Sequence, residues 1–321
     1  MSLLSALGPK VVLKSISLEL PAINFDTSFT TVSGVLARVS PMTRRLIAPN
    51  PSGFTFTGTC TYVVGEGAVA IIDPGPAIAA HVDALLKATA GEKIVAILVT
   101  HTHRDHSPAA AVLREKTGAP VVGCAPYAPP ADLAATGPGL DASHDRLYAP
   151  DRVLHDGETL KIGAATIEAV ATPGHTANHL CFALHEERTL FTGDHVMAWA
   201  TTVVAPPDGS MREYMESIEK LRVRDDVLHW PAHGGPVRDP QRYLRALTHH
   251  RRQREAAILQ RLEEGDETIP QIVARIYEGV DKRLQGAAAL TVFAHIEDLI
   301  ERGLVEPLEP MSFNARFAKT R

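Results

Sequence analysis

Apolar positions along the chain follow two different rhythms. Between residues 59 and 230 they come in short runs rich in β-branched residues, at 59–64, 68–72, 94–99, 121–122, 160–162, 165–170, 179–184, 189–191 and 227–230. Runs of this length, punctuated by Gly and Pro, predict strands. Residues 94–99 are apolar throughout, the pattern of a strand buried on both faces. Gly65-Glu66-Gly67 joins the first two runs as a hairpin. Helical spacing appears in between. Val82, Leu85 and Leu86 follow Pro76, Ser107-Pro108 opens a helix that Gly118 stops, and Ser210 to Glu213 forms a capping box ahead of Tyr214, Ile218 and Leu221.

From about His249 the rhythm is helical. Ile258 and Leu262 lie on a long charged helix ending at Gly265, and Thr268 starts a second helix through Ile272 and Ile276. A third covers about 286–302, with Leu290, Phe293 and Ile296 inward, and a short strand follows at 304–307. Three helices and a strand pair form a small winged-helix-like α module. The expected division is an N-terminal arm with edge strands (1–48), an α/β domain (49–245) and the winged-helix-like domain (246–321). Residues 125–150, rich in Pro, Ala and Gly, predict a long loop placed to shape a substrate mouth.

A length of 321 residues favours two domains. A net charge of −5 supplies no global basic field for nucleic acid. No apolar run is long enough to span a bilayer, and the first residues lack the features of a signal peptide. Cys60, Cys124 and Cys181 are too widely spaced for a paired motif and read as buried thiols in a reducing compartment. The expected location is cytoplasmic.

The chemistry sits at strand ends. The run 94–99 is followed by His101-Thr102-His103-Arg104-Asp105-His106, three imidazoles and a carboxylate in six positions. Later strands run into Pro173-Gly174-His175, Gly193-Asp194 and Pro231-Ala232-His233. Four strand ends that each deliver His or Asp point to a site at a sheet edge. The inventory is His101, His103, Asp105, His106, His175, Asp194 and His233. Two sites of three ligands each, sharing a carboxylate, would use all seven. Metals about 3.5–4 Å apart share a water and strip its proton at neutral pH. Histidine and carboxylate donors suit Zn²⁺, Mn²⁺ or Fe²⁺, with zinc favoured.

This motif order, with Asp73 ahead of it, resembles the metallo-β-lactamase superfamily over about residues 50–240. The resemblance implies a four-layer αβ/βα sandwich with two metals at one sheet edge. It implies that His101, His103 and His175 hold one metal, that Asp105, His106 and His233 hold the other, and that Asp194 bridges. Asp73 is implied as a carboxylate that orients a ligand. The segments 49–65 and 248–307 resemble the branch with an appended winged helix that includes β-lactamase-like protein 2, whose characterised members cleave single-stranded RNA. The chain departs from that branch at Cys60 and at His195, directly after the bridging Asp.

The expected function is therefore a dinuclear metal-dependent hydrolase, acting on single-stranded RNA or on a small ester or thioester as lactonases and hydroxyacylglutathione hydrolases do. A non-enzymatic metal-binding interaction protein would show lost ligands, and none is lost. Duplex DNA is not an expected partner, because residues 248–321 carry slightly more acids than bases and the third helix opens Gly286-Ala287-Ala288-Ala289. The module is expected to wall the substrate cleft or to form a contact in a homodimer. Arg251, Arg252 and Arg254 read as a solvated helix face, His249 and His250 as surface, and His295 as core. Catalytic candidates are Asp105, at the second metal, and His195 as general acid, since an imidazole titrates near neutrality. His179 is a candidate partner behind the ligands. Trp199, Thr201 and Thr202 are candidates for the substrate wall.

Overall fold

A strand of alternating side chains has two faces to cover, and a strand apolar on both faces needs a layer on each. The computed structural model, which describes residues 23–129, 143–279 and 284–321, meets this with two sheets packed face to face and helices outside. The first sheet runs β1 (Ala37–Arg38), β2 (Thr43–Ile47), β3 (Cys60–Glu66), β4 (Ala68–Ile72), β5 (Lys93–Val99), β6 (Val121–Gly123) and β7 (Arg152–Val153) in spatial order. Its pairings are antiparallel up to β4 and parallel from β4 to β7. Parallel neighbours need crossovers, which α1 (Ala79–Ala88) supplies between β4 and β5 and α2 (Ala109–Thr117) between β5 and β6.

The second sheet runs β12 (Leu228–Pro231), β11 (Thr189–Gly193), β10 (Leu180–Leu184), β9 (Ala165–Ala171) and β8 (Thr159–Ile162). Strand β10 shows how the layers are built. Leu180, Phe182 and Leu184 belong to the core that also holds Tyr62, Ile72 and Phe191, where Tyr62 of the first sheet meets Phe191 of the second at 5.0 Å between ring centroids. Cys181 and Ala183 face the other way, onto Tyr214, Ile218 and Leu221 of α3 (Met211–Arg222). The period of two thus divides one strand between two cores. All three cysteines are buried and free. Among the described residues no helix is long and apolar enough to cross a membrane.

Helix starts depart slightly from the sequence pattern. In α2 the cap position is Pro108, while the Ser107 hydroxyl donates to Asp145 Oδ2 at 2.9 Å. Gly118 ends the helix in the left-handed conformation, as expected. Ser210 does cap α3, its hydroxyl accepting from the Glu213 amide.

Helix α4 (Pro240–Glu263) begins earlier than the change in composition near residue 246. Leu244 and Leu247 pack on the second sheet, while Ile258 and Leu262 enter a separate core. That core also takes residues from α5 (Ile269–Ile276), from α6 (Gln285–Glu301) and from the pair β13 (Val305–Pro307) and β14 (Phe317–Lys319). One helix therefore belongs to both domains, over a length of about 36 Å at 1.5 Å per residue. Residues 37–47, assigned from sequence to an N-terminal arm, supply β1 and β2. The edge strands expected before residue 23, and residues 130–142 of the expected loop, lie outside the described residues.

His229 and His295 are buried, and neither ring has a hydrogen-bond partner among the described residues. Burial, helped by Arg224 for His229 and by Arg251 for His295, pushes both down to about 3. The folded chain keeps these rings neutral, while the unfolded chain binds protons below its ordinary value of 6.5. Their contribution is intact above that value and is lost as pH falls from there toward the folded value. Between pH 7.5 and 5.5 the stability difference between His229→Phe and its parent should move about 1.4 kcal/mol in the variant's favour. Urea denaturation of chelator-treated protein at the two pH values measures this. A difference that stays constant would mean that the folded state protonates His229 as readily as the unfolded chain does.

Candidate metal centre

Strand ends from both sheets meet at one edge of the sandwich. β4 runs into Asp73, β5 into Thr100 and His101, β9 into the turn before His175, β11 into Asp194 and β12 into His233. A strand's position is fixed by the ladders on either side, so the first residues beyond it are held without needing a rigid loop.

The ligand atoms fall into two groups. His103 Nδ1 lies 3.0 Å from His101 Nε2 and 3.1 Å from His175 Nε2, and Asp194 Oδ2 is 3.7 Å from His175 Nε2. These four ligand atoms lie within 4.8 Å of one another. Asp105, His106 and His233 make the second group. Asp105 Oδ2 is 3.4 Å from His106 Nε2 and 3.2 Å from His233 Nε2. Asp194 faces this group as well, with Oδ1 3.2 Å from His233 Nε2 and Oδ2 3.6 Å from His106 Nε2. All seven ligand candidates are thus brought together, with Asp194 between the two groups.

The donor set fits divalent ions. His106 Nε2, His233 Nε2 and Asp194 Oδ1 are buried with no hydrogen-bond partner among the described residues. Such atoms are costly to leave unpaired, and here they converge. Imidazole and carboxylate donors without thiolate match first-row ions that keep an open coordination position.

The outward atoms of the same rings are tied down, which fixes their tautomers. Asp73 accepts from the Thr100 amide and hydroxyl, both at 2.8 Å, and from His106 Nδ1 at 3.0 Å. His101 Nδ1 lies 3.0 Å from the Thr100 hydroxyl, and His175 Nδ1 donates to the Val203 carbonyl at 2.7 Å. His179 Nε2 accepts from the Asp194 amide at 3.3 Å, while its Nδ1 meets the Thr172 hydroxyl at 2.8 Å. Asp73 and His179 therefore stand behind the ligands and hold them.

Electrostatics separate the two groups. Burial, then neighbouring imidazoles, holds His101 and His103 well below the ordinary range, so they are neutral donors. Around Asp194 burial opposes charge, but the imidazoles of His233 and His106 outweigh it and keep the carboxyl well below its usual range. Asp105 is lowered in the same way by His106 and His233. Burial also opposes charge on His233, yet Asp194 and Asp105 lift it to about 9. Positive charge is stabilised where the second group converges.

His195 is a correction. It follows Asp194 in sequence, but its ring points into the core, 4.7 Å from Tyr214, with both nitrogens buried and unpartnered among the described residues. Burial, then His175 and Arg251, pushes it down to about 3. A ring neutral near pH 7, sealed from solvent and turned onto Tyr214 is not placed to act as the general acid expected from sequence.

Trp199, Thr201 and Thr202 line a cavity of about 350 Å³ between the two domains. The Thr202 hydroxyl, however, donates to the Asp194 carbonyl at 2.6 Å and so braces the ligand loop. The Gly286–Ala289 end of α6 contributes Ala287 and Ala288 to the cavity. His250 and Arg251, read from sequence as surface and solvated face, line it too, and Arg251 is only 2% exposed. His144 was not singled out from sequence. It is buried, with its ring 4.7 Å from His103, and an isolated bridge to His103 brings it there from 41 positions away.

Comparison with known proteins agrees with this geometry. The Metallo-beta-lactamase superfamily signature matches residues 53–233, more than half of the chain. The chain belongs to the metallo-β-lactamase superfamily. A second signature, the Beta-lactamase associated winged helix domain, matches residues 268–309. The chain is 31% identical over 256 residues to an atrochrysone carboxyl ACP thioesterase of Aspergillus chevalieri, covering 75% of this chain and 74% of that one. It is 29% identical over 280 residues to the Beta-lactamase-like protein 2 homolog of Caenorhabditis elegans, covering 84% and 88%. A Beta-lactamase domain protein from Burkholderia ambifaria shares the fold at a TM-score of 0.77 and 22% identity, over 92% of this chain and 97% of that one. As a metallo-β-lactamase superfamily member with an intact ligand set, the chain is a metal-dependent hydrolase with a C-terminal winged helix.

Proposed function

We propose that this hydrolase cleaves thioesters of small acyl groups. The observation that carries the reading is the cavity between the domains, whose 199–203 wall backs directly onto the ligands. Val203 accepts from His175 within that wall, and Thr202 braces Asp194. A cavity of about 350 Å³ lies in the size range of small-molecule sites. Relatives named as acyl-carrier-protein thioesterases support the same reading.

In this reading His101, His103 and His175 hold one ion, Asp105, His106 and His233 the second, and Asp194 both, with zinc the favoured metal. Ions bound there supply Lewis acidity, lowering the pKa of a water and polarising the bond it attacks. The chain does the rest. Asp73 keeps His106 in the tautomer that presents Nε2, His179 fixes the Asp194 backbone, and the 199–203 wall positions the acyl group. The loss of His195 as a proton donor favours a thiolate leaving group, because a thiol with an ordinary pKa of about 8.5 departs without an obligatory acid, as an alkoxide does not.

Cleavage of single-stranded RNA is the rival reading, carried by the pairing with a winged helix. Against it, Arg261, Arg302, Arg316 and Lys319 of that module are each paired with a carboxylate, which leaves them poorly disposed toward phosphates. The test is thiol release from acyl-N-acetylcysteamine substrates by zinc-loaded protein, alongside a short single-stranded RNA. Thiol release that a chelator abolishes and zinc restores, with intact RNA, is the expected result. Metal-dependent RNA cleavage without thiol release would overturn it.

A further inference from the structure

The same cavity holds a buried positive charge for which the proposed hydrolysis has no use. Arg251 lies on α4 at 2% exposure. Its Nη2 donates to the Thr202 carbonyl at 2.5 Å, and the guanidinium sits 4.9 Å from the Tyr214 ring centroid. Its Nε has no partner among the described residues. One turn on, Arg254 lies 4.8 Å over the Tyr277 ring and donates to the Ile276 carbonyl at 3.2 Å. Among the described residues neither guanidinium meets a carboxylate, and no Asp or Glu lines the cavity. Removing a guanidinium from water costs several kcal/mol unless an anion joins it.

Two further features make this a receptor for an anion. Trp199 lines the cavity as well, and its indole N–H is also buried without a partner among the described residues. The remaining lining, including Phe54, Tyr277 and Leu284, is largely apolar. His250 and His295 add no charge, because burial and then Arg251, for His295 together with His250 itself, push them down to about 4 and about 3. The positive charge therefore belongs to the two arginines that line one largely apolar chamber. Bidentate recognition of a carboxylate is what guanidinium geometry does best.

We propose that the inter-domain cavity binds a small carboxylate on an apolar body, its anionic end on Arg251 and Arg254 and its body against Phe54, Trp199, Tyr277 and Leu284. Resting on the thioesterase reading, this names the substrate class: an acyl group with a carboxylate at the end remote from the scissile bond. Selectivity for that class arises because a neutral analogue leaves the two guanidinium charges without a counter-charge.

The probes are 2-naphthoate, the neutral 2-naphthamide and inorganic phosphate, titrated calorimetrically into the full-length chain with and without chelator. Naphthoate should bind at least tenfold tighter than naphthamide, with or without chelator. Arg254→Met, whose side chain is only half-buried, should bring the two to parity. Arg251→Gln should do the same where it folds, but the Arg254→Met comparison decides without it. Naphthoate binding that a chelator abolishes and Arg254→Met leaves unchanged would put the anion on the metals and overturn the proposal, while leaving the thioesterase reading intact. Phosphate bound as tightly as naphthoate, with no gap between naphthoate and naphthamide, would overturn it in favour of a phosphate from the thioester's carrier. Arginine-dependent naphthoate binding without any thiol release would instead refute the thioesterase reading and leave the carboxylate site standing.

Discussion

Asp194→Asn is expected to lower kcat/KM by on the order of 10³-fold, about 4 kcal/mol of transition-state stabilisation. The substitution keeps the shape and removes the charge at the one residue that faces both ligand groups. Oδ1 stands 3.2 Å from His233 and Oδ2 3.6 Å from His106 and 3.7 Å from His175. An amide offers one oxygen to one group and turns an N–H₂ toward the other. Metal content should fall from two ions per chain to one or fewer, read by elemental analysis after dialysis. The fold should survive, because it is the carboxylates of Asp105 and Asp194 that hold His106 and His233 above the ordinary imidazole range against burial, and without Asp194 the rings can stay neutral. A circular-dichroism melt close to the parent's separates loss of metal from loss of structure. An Asp194→Asn protein that keeps two ions and activity within tenfold of the parent would remove Asp194 from the shared position.

The seven residues that converge at the sheet edge were legible in the sequence for a physical reason. Each follows a short apolar run, and such a run becomes a strand whose end is pinned by its ladder, so type and place could be read together. His195 departs from its expectation because adjacency in sequence is not proximity in space. Neighbours just past a strand end point opposite ways, and Asp194 enters the site while His195 packs against Tyr214. Arg251 was misread because a helix carrying His249, His250, Arg251 and Arg252 has the composition of a solvated face. What buries Arg251 comes from elsewhere, from the Thr202 loop 49 positions away and from Thr291 and its neighbours on α6. The domain border has the same origin. Composition changes near residue 246, but α4 runs on from Pro240, since a helix ends where its caps are and not where its partners change.

Gly174→Ala should destabilise the chain by roughly 2–6 kcal/mol, the sum of about 1–3 for a backbone conformation hostile to L side chains and about 1–3 for overlap. Gly174 has φ +134°, and a Cβ there would lie 2.3 Å from Tyr214 Cα and 2.4 Å from its amide nitrogen. Neither partner can yield cheaply. Tyr214 is fully buried on α3, and the Gly174 carbonyl accepts from the Ser210 amide at 3.0 Å just ahead of that helix. The turn must move instead, and its next residue is His175. Loss of stability should therefore come with weaker metal binding, so that the rise in melting temperature on adding zinc shrinks in the variant. Gly118→Ala is the control. Its φ of +70° is also left-handed, but nothing lies within 4 Å of its Cβ position, so only the conformational cost applies. The two substitutions should thus differ by the overlap and by the harsher φ at Gly174, and only Gly174→Ala should disturb the metals. Equal losses with unchanged zinc response would mean that α3 does not hold the His175 turn in place.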